Sequence, residues 1–160
     1  MANTSPANEK QSAIVLRDVR KHYGAVHAVD GVDLKIPQGQ VFGLIGHNGA
    51  GKSTLFKMML GLERPTSGHI TVAGADVAGP NFRAARRKLG YLPENVVLYD
   101  NLSGLETLNF FARLKGASLQ ECPSLLDKVG LSHAGKRAVR EYSKGMRQRL
   151  GFAQALLGTP

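Results

Sequence analysis

The stretch Gly46-His47-Asn48-Gly49-Ala50-Gly51-Lys52-Ser53-Thr54 constrains this chain more than any other. It satisfies G-x-x-x-x-G-K-[ST], the pattern of a loop that wraps phosphate groups. Its flanks agree with that reading. The apolar run Gln40–Ile45 before it reads as a buried strand. The segment Leu55–Leu60 after it continues without a breaker until Gly61, as a helix does. Strand, glycine loop and helix start are the order that phosphate chemistry needs.

The reason is local. A triphosphate must be held without burying unpaired charge. Gly46, Gly49 and Gly51 let the backbone come close and turn N–H groups inward, with Asn48 and Ala50 carrying the chain between them. The new helix adds unsatisfied N–H groups and the positive end of its dipole. Lys52 is expected to reach the β- and γ-phosphates, and the Ser53 hydroxyl to ligate Mg²⁺, with Thr54 beside it. The loop points to a nucleoside triphosphate and says nothing of how its energy is spent.

At 160 residues the chain is long enough for a domain with a core, and 42% hydrophobic content is ordinary for a globular protein. No apolar run approaches the roughly 18 residues that span a bilayer. Met1–Lys10 is polar, lacks an apolar segment and reads as a disordered leader, taken here as residues 1–12. The single Cys122 excludes an internal disulfide, so the chain is expected in the reducing cytoplasm. The net charge of +9 gathers at Arg83, Arg86, Arg87 and Lys88 and at Lys136, Arg137, Arg140, Lys144, Arg147 and Arg149. No aromatic residues interleave with these clusters as stacking platforms, so they read as solvated faces rather than a nucleic-acid surface.

Ile14–Val19 reads as a first strand, and Val29–Ile36, with Val32, Leu34 and Ile36 alternating with Asp33 and Lys35, as a second. His69–Gly74 is another strand, Asn81 caps a short basic helix through Lys88, and Gly90–Asn95 is a brief strand. The pattern then turns helical. Ser103 and Glu106 form a capping box, and the helix they start ends at Gly116. A second helix covers Pro123–Val129, and Ser143 precedes a third that runs through Leu157. Tyr23, at the end of the first β segment, is a candidate to stack on a purine base, although spacing alone does not single it out. Ser143 with Gly145 marks a second helix start where an anion has room, a weak signal by itself.

Taken together, the set resembles the ATP-binding subunit of ABC transporters, over Ile14–Pro160. Gly46–Ser53 looks like Walker A, Tyr142–Met146 like the signature, Tyr23 falls at the adenine-stacking aromatic, and Glu94 at the Q-loop position. The resemblance implies an α/β P-loop NTPase of ABC type. Residues 13–95 form a β-rich and Walker A core, 96–142 a helical subdomain and 143–158 a signature helix. It implies ATP and Mg²⁺ as cofactors, with Ser53 and Glu94 near the metal, and a homodimer in which each ATP lies between one Walker A and the other signature. Membrane permease subunits would be the driven partners, at the inner face of the plasma membrane. Four residues depart from the pattern: His47 stands for proline, Lys144 for glycine, Met146 for glutamine, and Glu94 for the Q-loop glutamine, where altered metal dependence is expected.

Tyr91–Asn95, Phe111–Ala117 and Tyr142–Gly158 look like the ATPase of the copper-processing ABC transporter that matures nitrous oxide reductase. No direct copper binding is expected, because His22, His27, His47, His69 and His133 show no ligand spacing and there is no cysteine pair. In the family a Walker B strand and a switch histidine follow the signature helix. Neither is found before Pro160, and His133 precedes the signature. The C-terminal part of the core sheet is therefore expected to be missing, and the chain to be a truncated ATPase, unable to hydrolyse ATP by itself. Two other functions stay open: a soluble ABC-type ATPase acting on nucleic acid or the ribosome, and a non-catalytic nucleotide-binding remnant.

Overall fold

The computed structural model describes residues 12–160, which fall into two compact units, 12–86 and 87–160. The leader expected over residues 1–12 lies outside the described residues, except for Ser12, which begins the first strand.

The first unit is built on a long hairpin. Strands β1 (Ser12–Tyr23) and β2 (Val26–Pro37) are longer than the sequence pattern suggests and are joined at Gly24-Ala25. Gly24 takes φ 57°, a left-handed value that glycine adopts without a side-chain clash. Helix α1 (Lys52–Met59) follows, then β3 (Ser67–Val72), the short β4 (Ala75–Asp76) and α2 (Phe82–Arg86). The sheet is antiparallel throughout, in the order β2-β1-β3-β4. Leu16, Val19, Val29, Ile36, Ile70 and Val72 supply its core. The β1 ladder bulges at Asp18, whose φ is 44°, and Gly68 meets that bulge so closely that a Cβ would overlap the Asp18 carbonyl oxygen. Helix α1 buries Leu55, Met58 and Met59, the apolar stripe expected after the loop.

Two expected strands are not strands. Residues 40–45 form no ladder, and Val41 and Ile45 stand 105% and 95% exposed. An apolar run becomes a strand only when a neighbour accepts its backbone groups, and among the described residues none pairs with it. Residues 90–95 are likewise irregular. Pro93 has no N–H to give a ladder. Gly151 is buried there, where a Cβ would collide with Val96 and approach Leu92. The basic helix α2 ends at Arg86, two residues before Lys88.

The second unit is helical: α3 (Gly104–Lys115), α4 (Glu121–Lys128) and α5 (Lys144–Leu156), with single turns at Ser132–Ala134 and Val139–Glu141. Leu108, Leu131, Val139, Leu150 and Leu157 are sealed in its core. The capping box is formed as read from sequence: Glu106 N–H donates to Ser103 Oγ, and Ser103 N–H to Glu106 Oε2 at 2.8 Å. These hydrogen bonds, the Ser103 side chain foremost, hold the Glu106 carboxyl below its usual range. Gly116 closes α3 in the left-handed conformation. Cys122, in a polar stretch of sequence, faces this core, and burial pushes its thiol pKa up. Among the described residues no helix is long and apolar enough to cross a membrane.

Candidate nucleotide-binding site

The glycine loop begins at the open end of residues 40–45 and finishes against the hairpin. Gly51, at the helix N-cap, has φ 80°, and a Cβ there would collide with the Ala28 carbonyl oxygen of β2. Gly49 has φ 84° with nothing near it. Handedness thus demands glycine at both positions, and close approach to β2 demands it again at Gly51. Between them Ala50 N–H donates to the His47 carbonyl at 3.2 Å, closing the loop on itself. Residues 46–50 are all exposed.

Helix α1 starts with no side-chain cap. Its first-turn N–H groups carry the positive end of the dipole, and an anion seated there would satisfy them. Lys52 Nζ donates to the carbonyls of Gly46 and His47, at 2.6 and 2.7 Å. The ammonium therefore already sits over the loop, where an arriving phosphate would exchange with two neutral acceptors. The exposed Ser53 hydroxyl and half-buried Thr54 occupy the same turn. An exposed serine oxygen beside a lysine and free helix N–H groups fits a hard, oxygen-seeking cation that comes with phosphates. His47 turns Nδ1 to the Asn48 carbonyl at 2.8 Å, a contact within the loop itself.

Tyr23 is half-exposed at the end of β1, paired with Val26 across the hairpin. Lys21 Nζ lies 4.9 Å from its ring centre and bridges to Glu63 at 2.6 Å and to the Arg64 carbonyl. The hairpin end is further tied down by His22 N–H donating to Thr66 Oγ1. The tyrosine is thus held on a fastened strand rather than on a free loop.

In the second unit the other predicted residues separate into structural and exposed ones. Tyr142 is buried; its hydroxyl donates to the Ala134 carbonyl at 2.7 Å, and Gly104 leaves the space it fills. Burial raises its pKa. Ser143 caps α5, its Oγ accepting from Met146 N–H at 3.2 Å. Gly145 is exposed, and a Cβ there would meet nothing nearer than Ser143 Oγ at 4.0 Å. Glu94 is exposed in the irregular segment after Pro93. Some of the basic residues read as a solvated face have internal work: Arg149 donates to the Val129 and Gly130 carbonyls that end α4, and Arg147 pairs with Asp100 at 2.7 Å.

Sequence spacing missed one arrangement. Four residues separate His22 from His27, which is no ligand motif, yet the hairpin makes them cross-strand partners. The usable signal was the turn at Gly24-Ala25, which places residues symmetrically about it in register.

Comparison with known proteins agrees with this architecture. The family model described as "ABC transporter" matches residues 29–160. A lantibiotic transport ATP-binding protein of Streptococcus pyogenes is 39% identical over 145 residues, covering 91% of this chain and 62% of its own length. A bacitracin transport ATP-binding protein of Bacillus licheniformis is 39% identical over 144 residues, covering 89% of this chain and 47% of its own length. A solved structure of the ATP binding subunit of an ABC transporter superposes with a TM-score of 0.79 at 32% identity, over 89% of this chain and 60% of that one. The chain thus spans about half to three fifths of the length of the relatives it matches.

Proposed function

We propose, from the premise that the chain belongs to the ABC transporter family, that it is the ATP-binding portion of a subunit that powers transport across a membrane. The observation that carries this reading is the loop itself. A helix start without a side-chain cap, two left-handed glycines and a lysine already poised over the loop form a cradle for anionic phosphate.

In this reading Gly46, Asn48, Gly49, Ala50, Gly51 and Thr54 line the triphosphate with backbone N–H groups, and Lys52 takes its β- and γ-oxygens. Ser53 holds Mg²⁺, which when bound neutralises phosphate charge. Tyr23 stacks on the adenine. The cradle is exposed on its outer side, which suits a site closed by a second copy of the subunit through its Ser143–Gly145 helix start. A glycine that its own chain does not need leaves room for that approach. Differential ATP affinity between closed and open pairs is then the free energy passed to permease subunits at the inner membrane face.

Hydrolysis belongs to the complete subunit. Glu94 enters near the metal at the Q-loop position, and a carboxylate there, in place of an amide, shifts the Mg²⁺ requirement. Equal Mg²⁺ titrations for Glu94 and Glu94→Gln in the complete protein would remove this role.

The cargo reading is narrower. The wording of Tyr91–Asn95, Phe111–Ala117 and Tyr142–Gly158 supports a subunit that powers copper-site maturation of nitrous oxide reductase. Relatives named for lantibiotic and bacitracin transport match at similar identity, so identity does not choose the cargo. The binding test is Mg²⁺-ATP affinity of the chain and its Lys52→Ala variant. Loss of one charge-assisted contact of about 1.5–3 kcal/mol weakens binding by roughly ten- to a hundredfold. Equal affinities would overturn the site. For the cargo, cells lacking the gene should accumulate copper-deficient nitrous oxide reductase, and fully metallated enzyme in those cells ends that reading.

A further inference from the structure

We propose that His22, His27 and Asp30 form a binding site for a divalent late transition-metal ion, of the Cu²⁺ or Zn²⁺ kind, on the β1–β2 hairpin. The site rests on the hairpin alone.

Cross-strand pairing is the first support. His22 on β1 lies opposite His27 on β2, their rings stacked at 3.9 Å between centroids and 13° between planes. Asp30 follows three residues along β2, and one donor atom from each of the three residues lies within 4.8 Å of the others. Small rotations of exposed side chains bring such a set onto one ion.

The second support is an unmet need. Nε2 of His22 is buried and has no hydrogen-bond partner. A buried polar nitrogen left without a partner costs free energy, and ligation removes that cost. Burial of this atom together with exposure of His27 and Asp30 gives a site with a fixed inner ligand and an open outer side.

Surrounding groups hold the ligands in place. The His22 backbone is fastened through Thr66 Oγ1 at 3.0 Å. Arg20 donates to one oxygen of Asp30 and also to Asp18 at 2.8 Å, so its charge is shared between two carboxylates and does not cancel Asp30. A carboxylate held by a second partner is the usual setting of a metal ligand.

Donor chemistry selects the ion. Two imidazoles and one carboxylate suit Cu²⁺, Zn²⁺ and Ni²⁺, with Cu²⁺ tightest by the general order of divalent affinities. Mg²⁺ and Ca²⁺ prefer all-oxygen sets and are not expected here. The three donors leave room for water or a further ligand from outside.

The test is a titration of the full chain with Cu²⁺, without nucleotide, followed by electron paramagnetic resonance, with Zn²⁺ affinity measured against a chelating dye. One equivalent bound with two nitrogen donors, undisplaced by excess Mg²⁺, is the expected result. His27→Ala and Asp30→Asn alter exposed side chains, so the fold, checked by circular dichroism, survives. His27→Ala should weaken binding by more than about tenfold, since even outer-shell changes cost that much. His69→Ala and His133→Ala should leave affinity unchanged. Equal affinity of His27→Ala and the unchanged chain, or a spectrum with a single nitrogen donor, overturns the site.

Discussion

Helices α1 and α5 begin in opposite ways, and the contrast separates a helix start without a side-chain cap from one completed by its own chain. Before α1 the N-cap is a left-handed glycine with no side-chain cap, and the neighbouring cation rests on loop carbonyls. Before α5 the N-cap is Ser143, whose hydroxyl accepts from Met146 N–H. The second is an ordinary capped helix except for one glycine, Gly145, that nothing in the chain requires. An open start costs stability and is useful only if something arrives to fill it.

Gly51→Ala strikes at this contrast hardest. The new Cβ meets both an unfavourable φ and the Ala28 carbonyl, so the first unit should lose about 3 kcal/mol, read as a lowered denaturant midpoint. A wild-type midpoint would show that the loop is not seated on β2 as described.

Next in size is Tyr142→Phe, which tests whether the residue before the α5 cap belongs to the core. It removes one of the two donors to the buried Ala134 carbonyl, which keeps the Arg137 N–H at 2.9 Å, at a cost of about 0.5–1.5 kcal/mol. The same residue sets an alkaline limit. Because its folded pKa is raised, folding favours the protonated phenol. That stability is present below the ordinary tyrosine range and is lost as pH rises through the raised value. Helical content against pH should therefore fall less steeply above that range in Tyr142→Phe than in the unchanged chain.

Gly145→Ala is smaller and opposite in sign. The site is open, so a helix former there should stabilise the second unit by about 0.5–1 kcal/mol. ATP binding by a single copy should not change, while nucleotide-dependent pairing of complete subunits should weaken. Unchanged pairing would show that nothing approaches this helix start.

The smallest effect concerns the capping box. Glu106 has a lowered folded pKa, so its contribution is present above the ordinary carboxylate range and is lost as pH falls through the lowered value. Glu106→Gln should flatten the acid limb of the helical melting curve. An unaltered acid limb would mean that the box does not form in solution.

Patterns that span a few residues are legible in the sequence. The left-handed glycine before α1, the Ser103–Glu106 box, the left-handed stop at Gly116 and the Ser143 cap each depend on near neighbours along the chain, and each stands where those neighbours place it. Sequence and structure part where the outcome lies with distant neighbours. Residues 40–45 carry a strand's composition but no ladder among the described residues. Tyr142 sits in a motif associated with nucleotide, yet it is committed to the core through Ala134 and Gly104.

Residue order alone specifies a glycine loop at a helix start and the serine caps of α3 and α5, because backbone handedness and capping are settled by residues three or four apart. Tertiary packing was needed to decide which of those starts remains open, that Gly51 is pressed against β2, and that His22, His27 and Asp30 meet. Those outcomes come from strand register and packing, which join residues that local chemistry leaves independent.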